Sequence, residues 1–341
     1  MIYRSRAPLR IGLAGGGTDV NPYSDLYGGA ILNATVSLYA SASIEPIEEP
    51  LIILNALDRQ EEQQFDLKNA PLPIDGKLDL LKGVFNRIKK DFGFPAKGFR
   101  LSTHVDAPAG SGLGTSSTLV VAIIGAFAEM LKLPLGEYDI AHLAFDIERN
   151  DLKMAGGKQD QYAATFGGVN FMEFYANDQV IVNPLRIRKE YLFELENNLL
   201  LFYTSTSRES ARIIEMQSRN VVEKKDKSID AMHQLKLQSQ QMKEAILKGK
   251  LHEVGKILDF GFAQKRQMAE GISNPLMEEI YETAKKSGAT GGKISGAGGG
   301  GFMIFYCPGT SKYQVIYALQ KFGGHAKSYQ FVDHGLTTWT I

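Results

Sequence analysis

Residues 108–118, Pro-Ala-Gly-Ser-Gly-Leu-Gly-Thr-Ser-Ser-Thr, set three glycines against a run of hydroxyl side chains. Gly110, Gly112 and Gly114 let the backbone turn tightly with no Cβ in the way. Thr115, Ser116 and Ser117 then stand where a helix N-cap belongs, ahead of an apolar stretch that Glu129 and Lys132 close. The first N–H groups of a helix lack internal partners and carry the positive end of its dipole. A glycine turn feeding such a start is an anion site, and phosphate is the anion it serves most often. Taken alone, the segment also reads as an ordinary capped turn. Two more glycine-rich segments, at residues 15–17 and 296–301, argue for more than a turn.

The later of these runs Lys293-Ile-Ser-Gly-Ala-Gly-Gly-Gly-Gly-Phe302. Gly296, Gly298 and Gly301 match the dinucleotide pattern G-x-G-x-x-G, but that pattern requires a following helix, and a strand is read here instead. The dinucleotide reading is therefore rejected. No segment fits G-x-x-x-x-G-K-[ST] either, so the phosphate loop belongs to another class.

These loops need elements to hold them. Alternation predicts a strand over residues 3–13, ending in the turn Ala14-Gly-Gly-Gly-Thr-Asp19. Further strands are read at 30–44, 51–54, 98–105 and 169–174, and helices at 78–92 and 138–149. Composition shifts near residue 190. A buried-strand pattern at 199–203 precedes a charged helical region over 209–268, with an apolar stripe through Leu247, Leu251, Val254, Ile257 and Leu258. A helix at 275–287, a strand at 302–306, a helix at 312–322 and a final strand complete an α+β half with antiparallel pairing. The expected division is 1–190 and 191–341, with an extensive shared interface.

Composition narrows the class. The 341 residues carry 38 Lys+Arg and 38 Asp+Glu, so there is no basic field for nucleic acid or a membrane surface. No apolar run reaches the roughly 18 residues needed to cross a bilayer, and the amino terminus lacks a signal-peptide core. One cysteine, Cys307, excludes an internal disulfide framework, and no Cys/His metal cluster is visible. A cytoplasmic protein without nucleic-acid or membrane partners is expected; its oligomeric state is not legible.

Three segments in register resemble the signature motifs of the GHMP small-molecule kinases, the family of galactokinase, homoserine kinase, mevalonate kinase and phosphomevalonate kinase. They are Ala7-Pro-Leu-Arg10 with Gly17-Thr-Asp19, then Pro108 to Ser117, then Lys293 to Gly301. Within that family, residues 9–19 and 156–162 are similar to those of heptose 7-phosphate kinases, and fucokinase-type sugar kinases carry nearly the same segments. The resemblance implies a two-domain α+β fold, with an N-terminal ribosomal-protein-like α/β domain and a C-terminal ferredoxin-like domain. It implies ATP and Mg²⁺ as cofactors and a sugar phosphate as acceptor. The implied reaction phosphorylates the anomeric hydroxyl of D-glycero-D-manno-heptose 7-phosphate, giving the 1,7-bisphosphate for nucleotide-heptose synthesis. A free-sugar kinase of the fucokinase type is the alternative, and a non-catalytic nucleotide-binding protein a remote one.

Residue roles follow from the same resemblance. Pro108, Gly110, Ser111, Gly112, Leu113, Gly114, Thr115, Ser116 and Ser117 would hold the nucleotide phosphates. Ser116, Ser117 and Glu148 would hold Mg²⁺, which takes oxygen ligands and keeps several waters. Asp160 matches the catalytic aspartate and Arg10 the basic residue beside it, although a structural pair would also explain Arg10. Thr18 and Asp19 would meet sugar hydroxyls, a turn cap being the other reading of Asp19. Ser295, Gly296, Ala297 and Gly298 would line the acceptor, and Lys158 and Arg208 would hold its phosphate, ahead of Arg149 and Lys153. Two departures matter. Gly157-Lys-Gln159 replaces the Pro-Ser-Gly usual in mevalonate kinases, and Gly15-Gly-Gly17 replaces the Gly-Glu-His of galactokinases, which weakens both of those readings.

Overall fold

In a computed structural model that describes residues 1–95, 97–205 and 210–341, the first strand is Tyr3–Ala14. Ala7, Leu9, Ile11 and Leu13 face inward at every second position and are fully buried. This strand pairs antiparallel with Gly29–Ile47, which is 19 residues long and so meets two neighbours in succession on its other side. Val169–Phe174 pairs with its residues 29–34 and Gly98–Val105 with its residues 40–47. Leu51–Ala56 adds in parallel to Gly98–Val105, and Glu61–Asp66 and Val180–Pro184 extend the eight-stranded sheet at its margins.

The helix Thr115–Leu131 lies against the two long strands and is apolar on nearly every side, as a helix sunk between layers must be. Val120, Val121, Ile123, Ile124 and Phe127 are all fully buried. Asp79–Phe92, Glu137–Asp146 and Gln159–Phe166 pack around it.

The second half builds a four-stranded antiparallel sheet from Leu199–Tyr203, Gly291–Ile294, Phe302–Tyr306 and His325–Ala326. Its spatial order is fourth, first, third, second, which is the ferredoxin-like arrangement. The helical region expected over 209–268 is three helices, Ser210–Val222, Asp226–Leu247 and Val254–Lys265. Lys224 and Gly249 break it with positive φ of 52° and 68°.

The last strand does not belong where its place in the chain suggested. Thr337–Thr340 pairs with residues 3–6, at the open edge of the first sheet. Leu9, Ile11 and Leu32 share one apolar cluster with Leu199, Leu201, Ile246 and Ile304, so the two halves pack on a common core. No described helix is long and apolar enough to cross a membrane.

Candidate active site

A cavity of about 680 Å³ opens where the glycine segments meet. Along one side runs the glycine loop over residues 110–114. Gly114, at φ 77°, is the N-cap of Thr115–Leu131, and no side chain caps the helix. The hydroxyl cap expected at residues 115–117 is therefore a glycine instead, and Thr115, Ser116 and Ser117 form the first turn. An acceptor side chain at the cap would occupy the N–H groups that an anion needs.

The third glycine segment clamps this loop from behind. Ser295 Oγ donates to Gly112 O (2.7 Å), and Phe302 N donates to Ser111 O (2.9 Å). Gly112 has to be glycine: at φ 83°, a Cβ there would stand 2.6 Å from Ser295 O.

Asp160 sits in the first turn of Gln159–Phe166. Arg10, from the first strand, meets it bidentately, Nε to Oδ1 at 2.8 Å and Nη2 to Oδ2 at 2.9 Å. Arg10 Nη1 also donates to Gly112 O, so one guanidinium ties this carboxylate to the phosphate loop. Gln159 Nε2 adds a third donor to Asp160 (3.1 Å).

Asp19 lies beside this pair, buried, its carboxylate accepting from Gln159 N (3.0 Å). Burial pushes its pKa up, against the pull of that N–H. A Cβ on Gly157 would stand 1.9 Å from Asp19 Oδ2, so the glycine is what lets the carboxylate approach.

Glu148 and Arg149 project from a π-helical turn, Ile147–Asp151, that continues Glu137–Asp146. Gln161 Nε2 bonds both Ser117 Oγ and the Glu148 carboxylate. Burial raises the Glu148 pKa, while Arg149, Ser117 and Gln161 act in the opposite direction. A buried carboxylate next to a hydroxyl suits a hard dication that keeps its waters. The residues present fit Mg²⁺.

The comparisons agree with this geometry. The model of the GHMP kinases N terminal domain matches residues 79–168, and that of the GHMP kinases C terminal domain matches residues 242–325. The D-glycero-alpha-D-manno-heptose 7-phosphate kinase of Campylobacter jejuni is 47% identical over 338 residues, covering 99% of both chains. The chain belongs to the GHMP kinase family. It is a sugar kinase, a phosphotransferase with a hydroxyl acceptor. A crystal structure of a D-glycero-D-manno-heptose 1-phosphate kinase from Bacteroides thetaiotaomicron superposes with a TM-score of 0.84 at 44% identity, over 99% of each chain. Lactococcus lactis galactokinase, at 18% identity and a TM-score of 0.79 over 98% of this chain and 95% of its own, shares the fold.

The kinase's cleft is lined by Arg10, Asp19, Asp160, Glu148, Ser116 and Ser117, with Gly110, Gly112, Gly114 and Thr115 behind them and Gly296 and Ala297 opposite. Arg149 and Lys153 line it as well. Other residues expected there serve the scaffold. Thr18 is fully buried, donating to the Gly15 and Ala30 carbonyls and accepting from Ala30 N, so its hydroxyl closes the glycine turn and is not free for a sugar. Lys158 pairs with Asp178 (2.8 Å) and Asp25 (3.4 Å) and lines an adjoining pocket that shares Asp19, Arg149 and Gly156 with the cleft. Ser111 and Leu113 are fully buried beneath the loop, and exposed Pro108 accepts from Ser111 N (3.1 Å). Ser295 is turned onto Gly112, and Gly298 packs against Ile272. Arg208 lies outside the described residues.

The cleft residues that were not anticipated include Lys265, Lys293, Gln217 and Glu215. Lys293 opens the third glycine segment. Lys265 falls three residues after buried Phe262 and seven after buried Leu258, on the apolar stripe of its helix. A lysine on a buried stripe is the signal that could have found it.

Proposed function

We propose that this kinase transfers the γ-phosphoryl group of ATP to the anomeric hydroxyl of D-glycero-D-manno-heptose 7-phosphate, giving the 1,7-bisphosphate and ADP. The observation that supports the reading most is the bidentate Arg10–Asp160 pair, held at the mouth of an uncapped helix start. Phosphoryl transfer asks mainly for positioning and charge neutralisation, and the site supplies both. Asp160 accepts the proton of the attacking hydroxyl as the new O–P bond forms and the bond from the γ-phosphorus to its bridging oxygen breaks. The anomeric hydroxyl is the most acidic on a sugar, so one carboxylate suffices as base. Arg10 fixes the orientation of that carboxylate and sets a positive charge beside the transferring group. The first-turn N–H groups at residues 115–117 receive nucleotide phosphate, and Asp19 accepts from a sugar hydroxyl. Glu148 with Ser117 and Ser116 would hold Mg²⁺, which supplies further neutralisation of phosphate charge when bound. With ATP as donor, the reaction belongs in the cytoplasm.

The names of the two relatives differ in where the acceptor's phosphate sits, at carbon 7 in one and carbon 1 in the other. ADP release with Mg-ATP is therefore measured against heptose 7-phosphate, heptose 1-phosphate, mannose 6-phosphate, fucose and galactose. Turnover confined to the 7-phosphate sugar is expected. Turnover of the 1-phosphate sugar would overturn the anomeric acceptor, and turnover of free fucose would move the enzyme to the free-sugar branch.

A further inference from the structure

The transfer chemistry leaves two buried cations without a role. Lys265 ends the helix Val254–Lys265, and Lys293 stands in the strand Gly291–Ile294. They are 4% and 5% exposed, yet both line the cleft. Lys265 Nζ donates to Gly296 O (2.5 Å) and Lys293 Nζ to Gly12 O (2.8 Å). Among the described residues, neither forms an ion pair with a carboxylate. Asp19 and Asp160 lie near enough to act on Lys265, but Asp160 is engaged by Arg10 and neither carboxylate pairs with a lysine, so both ammonium groups lack a direct counter-ion. A buried ammonium without a counter-ion is costly, and that cost falls when an anion arrives.

The two ammonium groups converge on one place. A Cβ on Gly16 would lie 3.6 Å from Lys265 Nζ and 3.8 Å from Lys293 Nζ. Next to it, Gln217 is 2% exposed and leaves its Nε2 without a partner. The Gln217 Oε1 lies 3.5 Å from where a Cβ of Gly17 would stand, so its amide flanks the same turn. Two lysine ammonium groups thus gather over Gly16, with the Gln217 amide beside Met268 on the flank of Gly17. This place is on the turn that carries Asp19, not on the loop over residues 110–117 that serves the nucleotide. Burial holds both lysines below their usual pKa, Lys265 to about 8 with Arg10 adding to the effect and Asp19 and Asp160 opposing it. Lys265 and Arg10 depress Lys293 further.

We propose that Lys265, Lys293 and Gln217 form an anion subsite over Gly16 that holds the phosphate already carried by the acceptor sugar. The inference rests on the sugar-phosphate reading above and assigns that phosphate to residues of this chain. It takes this role from Lys158, which pairs with Asp25 and Asp178 in the adjoining pocket. The acceptor lies with its reacting end at Asp160, its hydroxyls at Asp19 and its phosphate over Gly16.

Calorimetric titration with heptose 7-phosphate and with unphosphorylated heptose tests it, in the parent and in K265M, K265R, K293M and Q217L. The readout is the ratio of the two affinities, which isolates the phosphate from the sugar ring. In K265M and K293M the ratio is expected to fall about 10- to 100-fold, the range for losing a hydrogen bond to a charged group. K265R keeps the charge and should keep most of the preference, and Q217L should lose a smaller part of it. If both sugars weaken by the same factor, the lysines act on something common to both and the proposal falls. It falls equally if the parent binds the two sugars alike. Should K265M and K293M fail to fold, Q217L decides by the same ratio. The substrate reading fails separately: a parent that binds mannose 6-phosphate in a lysine-dependent way but never turns over heptose 7-phosphate keeps the subsite and loses the reaction.

Discussion

Asp160 accepts from three side-chain donors, two of them on Arg10, and that geometry divides its role from that of its neighbours. Asp160→Asn keeps the shape and removes the base, so kcat should fall by about 10²- to 10⁴-fold, with ATP affinity unchanged by fluorescence titration. Near-normal turnover would remove Asp160 from the chemistry. Glu148→Gln keeps the contact with Gln161 but loses the anion, so the Mg²⁺ concentration for half-maximal rate should rise about tenfold or more. An unchanged metal dependence would place the ion elsewhere. Lys265 gives a stability test with a definite sign. Its folded pKa is about 8, against the usual 10.5. Below about 8 the folded and unfolded chains are both protonated, and the cost of the buried charge is present in full. Between about 8 and 10.5 the unfolded chain keeps a proton that the folded protein has released, so stability rises with pH. The stability of K265M relative to the parent should therefore drop by about 2.5 kcal/mol between pH 7 and pH 10 in paired urea melts. A difference that does not change with pH would mean Lys265 is not held down in the folded state.

At the scale of elements, a second loop holds the glycine loop over residues 110–114 in place. Ser295 and Phe302 grip Gly112 and Ser111. Gly112→Ala puts a Cβ 2.6 Å from Ser295 O on a residue at φ 83°. It should lower the melting temperature by several degrees and raise KM for ATP, read in the same preparation by thermal scan and initial rates. A variant with a lower melting temperature and an unaltered KM would show that the clamp serves folding alone. Much of this scale was legible. Gly98–Val105, Val169–Phe174, Leu199–Tyr203 and Phe302–Tyr306 have the bounds expected of them, because alternating polar and apolar residues in the first two and short apolar runs in the last two carry a local signal. Glu61–Asp66 was not expected as a strand: its Glu-Glu-Gln-Gln-Phe-Asp sequence has no apolar face, and only pairing with Leu51–Ala56 makes it one. The π-helical turn under Glu148 was equally invisible, since nothing in local periodicity separates it from the helix before it.

At the scale of the molecule, the chain crosses back on itself. Thr337–Thr340 closes the edge of the first sheet, and the Thr338 and Thr340 hydroxyls donate to Glu129. The strand pairing lies on residues 3–6 and the hydroxyl contacts at the far end of Thr115–Leu131, both away from Arg10, so removing residues 337–341 should cost stability and leave catalysis alone. A fall of several degrees in melting temperature with both KM values retained is expected; a raised KM would mean the edge strand supports the cleft. The three glycine segments, Arg10, Glu148 and Asp160 were set by sequence, because a phosphate loop and a carboxylate base need particular residue types at particular places along the chain. Which of the candidate polar residues face the cleft was decided only by tertiary structure. Thr18 and Lys158 look like ligands in the chain but are satisfied by Ala30 and Asp178. Lys265 and Lys293 look like scaffold but meet over Gly16, because partners for buried charge are chosen in space and lie far apart in sequence.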